Sequence, residues 1–149
     1  MDELLKEMLE KHEGKKRRKY KCTAGRWTIG IGHNMEDEPL PEEMQRFLDA
    51  NGYITDEMIY ELLEKDIEDA INDAWDLYPN LESYSEARQA ALIDFLFNVG
   101  KRVALQFKRF NRAVNEEKWD NAAKYLLESK YARQVGQRAQ TIARMLREG

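Results

Sequence analysis

HEGKKRRKYKCTAGRWTIGIGH, residues 12–33, is the stretch on which the reading of this chain turns. Before it, Leu4, Leu5, Met8 and Leu9 recur at helical spacing among acids and lysines; from Lys15 that recurrence stops. The chain then breaks into short extended pieces: Arg18 to Cys22, a turn at Thr23, Ala24 and Gly25, and a return through Trp27, Thr28, Ile29 and Ile31 to His33. This is the pattern of a small β-hairpin region. Glycines at 25, 30 and 32 permit a turn and close backbone approach, as the wall of a cleft requires.

Downstream the pattern is helical. The acidic, proline-bearing EDEPLPEE reads as a loop feeding a short helix of about 42–50, and Asn51–Gly52 as a turn. With Thr55 as N-cap, Ile59, Leu62, Leu63, Ile67, Ala70, Ile71, Ala74 and Trp75 recur at threes and fours until Pro79, which predicts one long helix. Ser83 and Glu86 stand at capping-box spacing before ARQAALIDFLFNVG, whose apolar residues face nearly every side, as in a helix wrapped by others. Amphipathic patterns over 104–115, 118–129 and 135–148 surround it. The expected fold is α+β and mainly helical, a single domain of residues 1–149. A small β-hairpin lobe (about 13–58) is joined by a helix over 56–78 to a helical lobe (80–149 plus the helix over 1–12).

Composition narrows the function classes. A chain of 149 residues can bury a core without staples, and no run approaches eighteen consecutive apolar residues, so no stable membrane insertion is expected. The first residues lack the apolar region and cleavage site of a signal peptide. One cysteine, Cys22, excludes an internal disulfide and fits a reducing compartment. His12, Cys22 and His33 match no familiar zinc spacing, and neither metal nor cofactor is expected. The net charge of −4 conceals segregation: +4 over residues 1–33, −15 over 34–86 and +7 over 87–149. Basic ends gathered on one face would attract a polyanion; solvated helix faces of opposite charge would account for the same numbers.

Glu13, Cys22 and Thr28 are the residues of the opening stretch that carry chemistry. A helix end, a turn and a returning strand can converge, and an acid, a soft base or nucleophile and a hydroxyl able to hold water are the parts needed to cleave an acetal. Each has an ordinary reading as well: a surface acid before Gly14, a small buried hydrophobe, a strand former.

Glu13–Gly14, Tyr20-Lys21-Cys22-Thr23-x-Gly25 and Trp27-Thr28-Ile29-Gly30-Ile31-Gly32-His33 resemble the lysozymes of the T-even bacteriophage type. Their active site runs Glu, eight residues, Asp or Cys, five residues, Thr, and both spacings match. Phe97-Asn98-x-Gly100 is similar to the family's groove-lining stretch, and Lys118-Trp119-Asp120-x-Ala122-Ala123 to its late helix. Arg138–Ala139 stands where the family has an arginine that pairs with the catalytic glutamate.

The resemblance implies a muramidase that hydrolyses the β-1,4 bond between N-acetylmuramic acid and N-acetylglucosamine in peptidoglycan. Glu13 would be the general acid. Cys22, where aspartate is commonest, would be a general base for water held by Thr28, or a nucleophile giving a thioglycosyl intermediate. Lys19, Lys21 and Arg26, near in sequence, are expected to lower the thiol's pKa. His33 braces the site, Arg138 positions Glu13, and Asn34, Phe97 and Asn98 are candidate sugar contacts. The implied setting is a monomeric phage or prophage endolysin made in the host bacterial cytoplasm, reaching the wall after a holin opens the membrane. A lysozyme-fold protein that binds wall with little turnover is the alternative. A nucleic-acid partner is not expected, since no recognition motif is present.

Overall fold

A computed structural model describes residues 2–149. The fold is mainly helical with one small antiparallel sheet, in the order α1 (Asp2–Glu13), β1 (Lys16–Lys21), β2 (Trp27–Gly30), β3 (His33–Asn34), α2 (Glu42–Asn51), α3 (Asp56–Leu77), a 3₁₀ turn (Leu81–Ser83), α4 (Glu86–Ala104), α5 (Lys108–Asn115), α6 (Trp119–Glu128), α7 (Lys130–Val135) and α8 (Gln137–Glu148). The chain divides into two compact units, Leu9–Glu68 and Met1–Met8 with Asp69–Gly149, so the divisions fall inside α1 and α3. No described helix is long and apolar enough to cross a membrane.

In the unit Leu9–Glu68 the sheet order is β1-β2-β3. Tyr20 pairs with Thr28 and Lys21 with Trp27, with an irregularity between Lys16 and Tyr20; Thr28 pairs with Asn34 and Ile29 with His33. The sequence pattern predicts one returning strand from Trp27 to His33. The chain instead folds back after Gly30, because Gly30 and Gly32 both adopt φ of +68°, which reverses the strand at little steric cost. Ile29 and Ile31 are buried, and a side chain on Gly30 would touch Ile59 of α3 at 3.6 Å. The α3 helix starts at the expected cap: the Met58 N–H donates to Thr55 Oγ1 at 3.2 Å. Its buried stripe is Ile59, Leu62, Leu63, Ile67, Ala70 and Ala74, while Trp75 is 44% exposed and lies off it.

In the unit holding Asp69–Gly149, every residue of α4 from Ala90 to Leu96 is buried. Phe95 takes edge-to-face contacts from Phe107, Phe110 and Tyr131 at 5.1, 5.2 and 5.4 Å between centroids. The N-cap of α4 is Ser85, which accepts the Arg88 N–H, and not Ser83, whose hydroxyl donates to the Asn80 carbonyl. Gly100 does not end the helix outright; at φ 79°, ψ 160° it kinks it, and helical backbone resumes to Ala104.

Candidate active site

The unit Leu9–Glu68 contains all three residues of the expected constellation. Glu13 is the last residue of α1; Gly14, at φ +76°, closes the helix with its N–H on the Glu10 carbonyl and turns the chain toward β1. The half-buried Glu13 side chain lies on the α-carbon of Gly32. A Cβ at Gly32 would stand 2.7 Å from the carboxyl carbon and 2.8 Å from Oε1, so the β2–β3 turn is bare where the acid rests.

Cys22 opens the β1–β2 turn. Its N–H donates to the Arg26 carbonyl at 2.9 Å, its carbonyl accepts the Gly25 N–H at 2.8 Å, and Gly25 takes φ +77°. Burial alone would push the half-exposed thiol up, but the backbone groups of Arg26 and Ala24, the Thr28 side chain and its own backbone together more than offset that, and its pKa falls below the ordinary cysteine value. The sulfur thus sits in a nest of turn donors. This corrects the expectation that Lys19, Lys21 and Arg26 supply the effect. Both lysines stand over the Trp27 ring, 4.7 and 5.1 Å from its centroid, and Arg26 acts through its backbone.

Thr28 is 4% exposed, and its hydroxyl donates to the Arg26 carbonyl at 3.0 Å, the same oxygen that receives the Cys22 N–H. One carbonyl therefore ties the thiol's backbone to the threonine's side chain. Across the ladder from Thr28, the Tyr20 phenol is pushed up first by burial and then by the charges of Glu13 and Cys22. Tyr20 consequently lies within electrostatic reach of both the acid and the thiol.

His33 is 4% exposed and bonded at both ring nitrogens: Nδ1 to Asp66 Oδ2 and Nε2 to the Glu38 carbonyl, each at 2.8 Å. A carboxylate and a carbonyl are both acceptors, an arrangement that favours the doubly protonated ring, in which both nitrogens donate. Burial would lower its pKa, but the Asp66 hydrogen bond and charge, with the Glu38 carbonyl, raise it overall. His33 clamps the β3 loop to α3. Asn34 is engaged in its own turn, its Oδ1 accepting the Glu36 and Asp37 N–H groups and its Nδ2 donating to Asp37 Oδ2.

The remaining expected residues belong to the other unit. Phe97 and Asn98 are half-buried on α4, and the Asn98 Oδ1 is a buried acceptor with no hydrogen-bond partner among the described residues. Arg138, 8% exposed on α8, donates from Nε to Oδ1 of the fully buried Asp94 at 2.8 Å.

The sequence reading gave Tyr20, Asp66 and Asp94 no role and read Gly32 only as one of three glycines that permit a turn and close backbone approach. Asp66 and Asp94 left a signal: one shares the face of Leu62, Leu63 and Ile67 on α3, and the other is the lone charge in a buried apolar run, where an acid needs a partner.

Comparison with known proteins places the chain among relatives. The phage lysozyme family model matches residues 10–147. Probable T4-type lysozymes 2 and 1 of Dictyostelium discoideum are 30% and 28% identical, each over 97% of this chain and 94% of their own length. The pre-baseplate central spike protein Gp5 of Enterobacteria phage T4 is 28% identical over 96% of this chain and 27% of its own length.

Proposed function

Because this chain belongs to the phage lysozyme family, and with it to the lysozyme-type peptidoglycan hydrolases, we propose that it is a muramidase in which Glu13 is the general acid and Cys22 the general base, acting on water held by Thr28. The observation that supports this reading is that one carbonyl ties the two residues together, the Arg26 oxygen accepting both the Cys22 N–H and the Thr28 hydroxyl, with Tyr20, which feels the charges of Glu13 and Cys22, paired across the ladder from Thr28. In the reaction, Glu13 gives its proton to the departing N-acetylglucosamine oxygen as the bond to the anomeric carbon of N-acetylmuramic acid breaks. The water oxygen bonds to that carbon from the opposite face, and its proton passes to the Cys22 thiolate.

Two features favour base over nucleophile. Donors that lower the thiol's pKa also lower the nucleophilicity of the sulfur, while a base works best with a pKa near the operating pH. The nest also suits a carboxylate: Ala24 is two residues beyond Cys22, the place where an aspartate side chain bonds its own turn. That explains how Asp and Cys serve at one position.

Arg138 as a positioning residue for Glu13, and Asn34, Phe97 and Asn98 as sugar contacts, extend the proposal on the strength of the resemblance. The proposed setting, again by resemblance, is an endolysin acting as a monomer from the host cytoplasm once a holin has opened the membrane.

The anomeric form of the first product tests the mechanism. An inverting enzyme releases the α-anomer from the β-linked chain, as NMR during the first turnovers would read. Initial β-anomer would replace the base by a nucleophile.

A further inference from the structure

We propose that the solvent face of the β1–β2 hairpin is an exosite for a linear phosphodiester polymer of the polyol-phosphate type that accompanies peptidoglycan in some cell walls. The choice of polymer rests on the wall-hydrolase reading; the anion site itself does not.

Six of the seven residues from Lys15 to Lys21 are basic. Part of that charge is neutralised within the unit: Arg17 pairs with Asp56 at 2.9 Å and Lys15 with the same carboxylate at 3.6 Å, while Arg18 reaches the Gly52 carbonyl. Lys16, Lys19, Lys21 and Arg26 are exposed and, among the described residues, have no carboxylate at ion-pair distance. The nearby acid, Glu36, is occupied by the Trp27 N–H at 2.6 Å. An open groove of about 530 Å³ runs along β1, lined by residues 15–20.

Lys19 and Lys21 lie two residues apart on β1, and their ammonium groups stand 4.7 and 5.1 Å from the same Trp27 ring centroid, which keeps the two charges within reach of neighbouring phosphates. Successive phosphates of an extended polyol-phosphate chain can engage both. Trp27, opposite Lys21 in the ladder and 39% exposed, gives both lysines an aromatic floor, which holds the ammonium groups in place without removing their charge.

The same packing argues against other polyanions. Single-stranded nucleic acid binds by stacking bases on open aromatic faces, and the Trp27 ring already carries two ammonium groups. A bilayer surface needs an apolar face to bury, and Trp27 is the one exposed large apolar side chain of the sheet.

The test uses the full chain and synthetic poly(glycerol phosphate) in a calorimetric or sedimentation binding assay, comparing wild type with Lys19→Gln/Lys21→Gln and with Lys19→Arg/Lys21→Arg. Binding should weaken at least tenfold in the Gln pair and persist in the Arg pair. The slope of log affinity against log salt should fall by about 1.4, about 0.7 per lost contact. Turnover on peptidoglycan stripped of the polymer should be the same in all three. Equal binding by wild type and the Gln pair, or tighter binding of oligo(dT) or phosphatidylserine vesicles than of the polymer, overturns the proposal. Wild type that binds the polymer through these lysines but cuts no stripped peptidoglycan supports the anion site and overturns the hydrolase reading alone.

Discussion

The Glu13 carboxyl rests on the bare α-carbon of Gly32: a Cβ there would lie 2.7 Å from the carboxyl carbon. The end of α1 and the β2–β3 turn thus meet at one point, and only a residue without a side chain leaves room for the acid. Gly32→Ala must displace Glu13 as well as strain a backbone at φ +68°. Turnover should fall at least a hundredfold, with a stability loss of about 1–2 kcal/mol. Gly52→Ala is the control: its φ is +79°, but its added methyl would meet only the tip of Arg18, at 3.4 Å. It should show similar strain and full activity. Comparable activity loss in the two variants would contradict the contact.

The nest around Cys22 predicts how its replacements behave. Cys22→Asp should retain activity, with the acid limb of the pH–rate profile moved to lower pH, because a carboxylate stays ionised where a thiol takes up its proton. Cys22→Ala should lose at least a hundredfold, a typical contribution for a positioned base. Iodoacetamide should inactivate wild type and spare Cys22→Asp.

His33 and Asp66 set a pH dependence of stability. The folded-state pKa of His33 is raised, so the native state holds the proton more tightly than the unfolded chain. The contribution is full below the unfolded value of about 6.5 and is lost as pH rises through the raised folded value. Asp66→Asn removes the carboxylate, so its destabilisation should be greatest at pH 5–6 and should shrink toward pH 9. Thermal unfolding across that range checks the sign.

Asp94 and Arg138 form a buried pair at 2.8 Å. Asp94→Ala removes the buried carboxylate that the Arg138 Nε meets, and breaking a buried pair from one side should cost about 3–5 kcal/mol. At about 2–4 °C per kcal/mol for a chain of this size, Tm should drop by roughly 10 °C. Asp94→Ala/Arg138→Met should recover part of that loss. A double variant no better than Asp94→Ala would show that the pair is not what holds Arg138 there.

The elements with long periodic patterns were legible in sequence: α3 from its recurring apolar residues and Thr55, α4 from a run apolar on all sides. The misses share a physical reason, which is that they depend on backbone state or on a partner distant in sequence. Gly30 and Gly32 announce freedom, but not that both take positive φ and split one strand into two. Ser83 and Ser85 are chemically equal caps, and the turn of Leu81–Ser83 decides between them. The six-residue α7 is too short to show a period. At the site, Glu13, Cys22 and Thr28 were picked out by residue type and placement and given their roles through the resemblance, whereas the source of the lowered thiol pKa was misread. Lysines adjacent in sequence to Cys22 point at Trp27, and the donors are backbone groups of the turn.

Reducing-sugar release from purified peptidoglycan by Glu13→Gln tests the central claim most directly, because the substitution removes the donated proton and almost no volume. The expected result is turnover at or below a thousandth of wild type, with a cooperatively folded protein and undiminished sedimentation with the wall. Turnover within tenfold of wild type would contradict the account, whatever the other variants did.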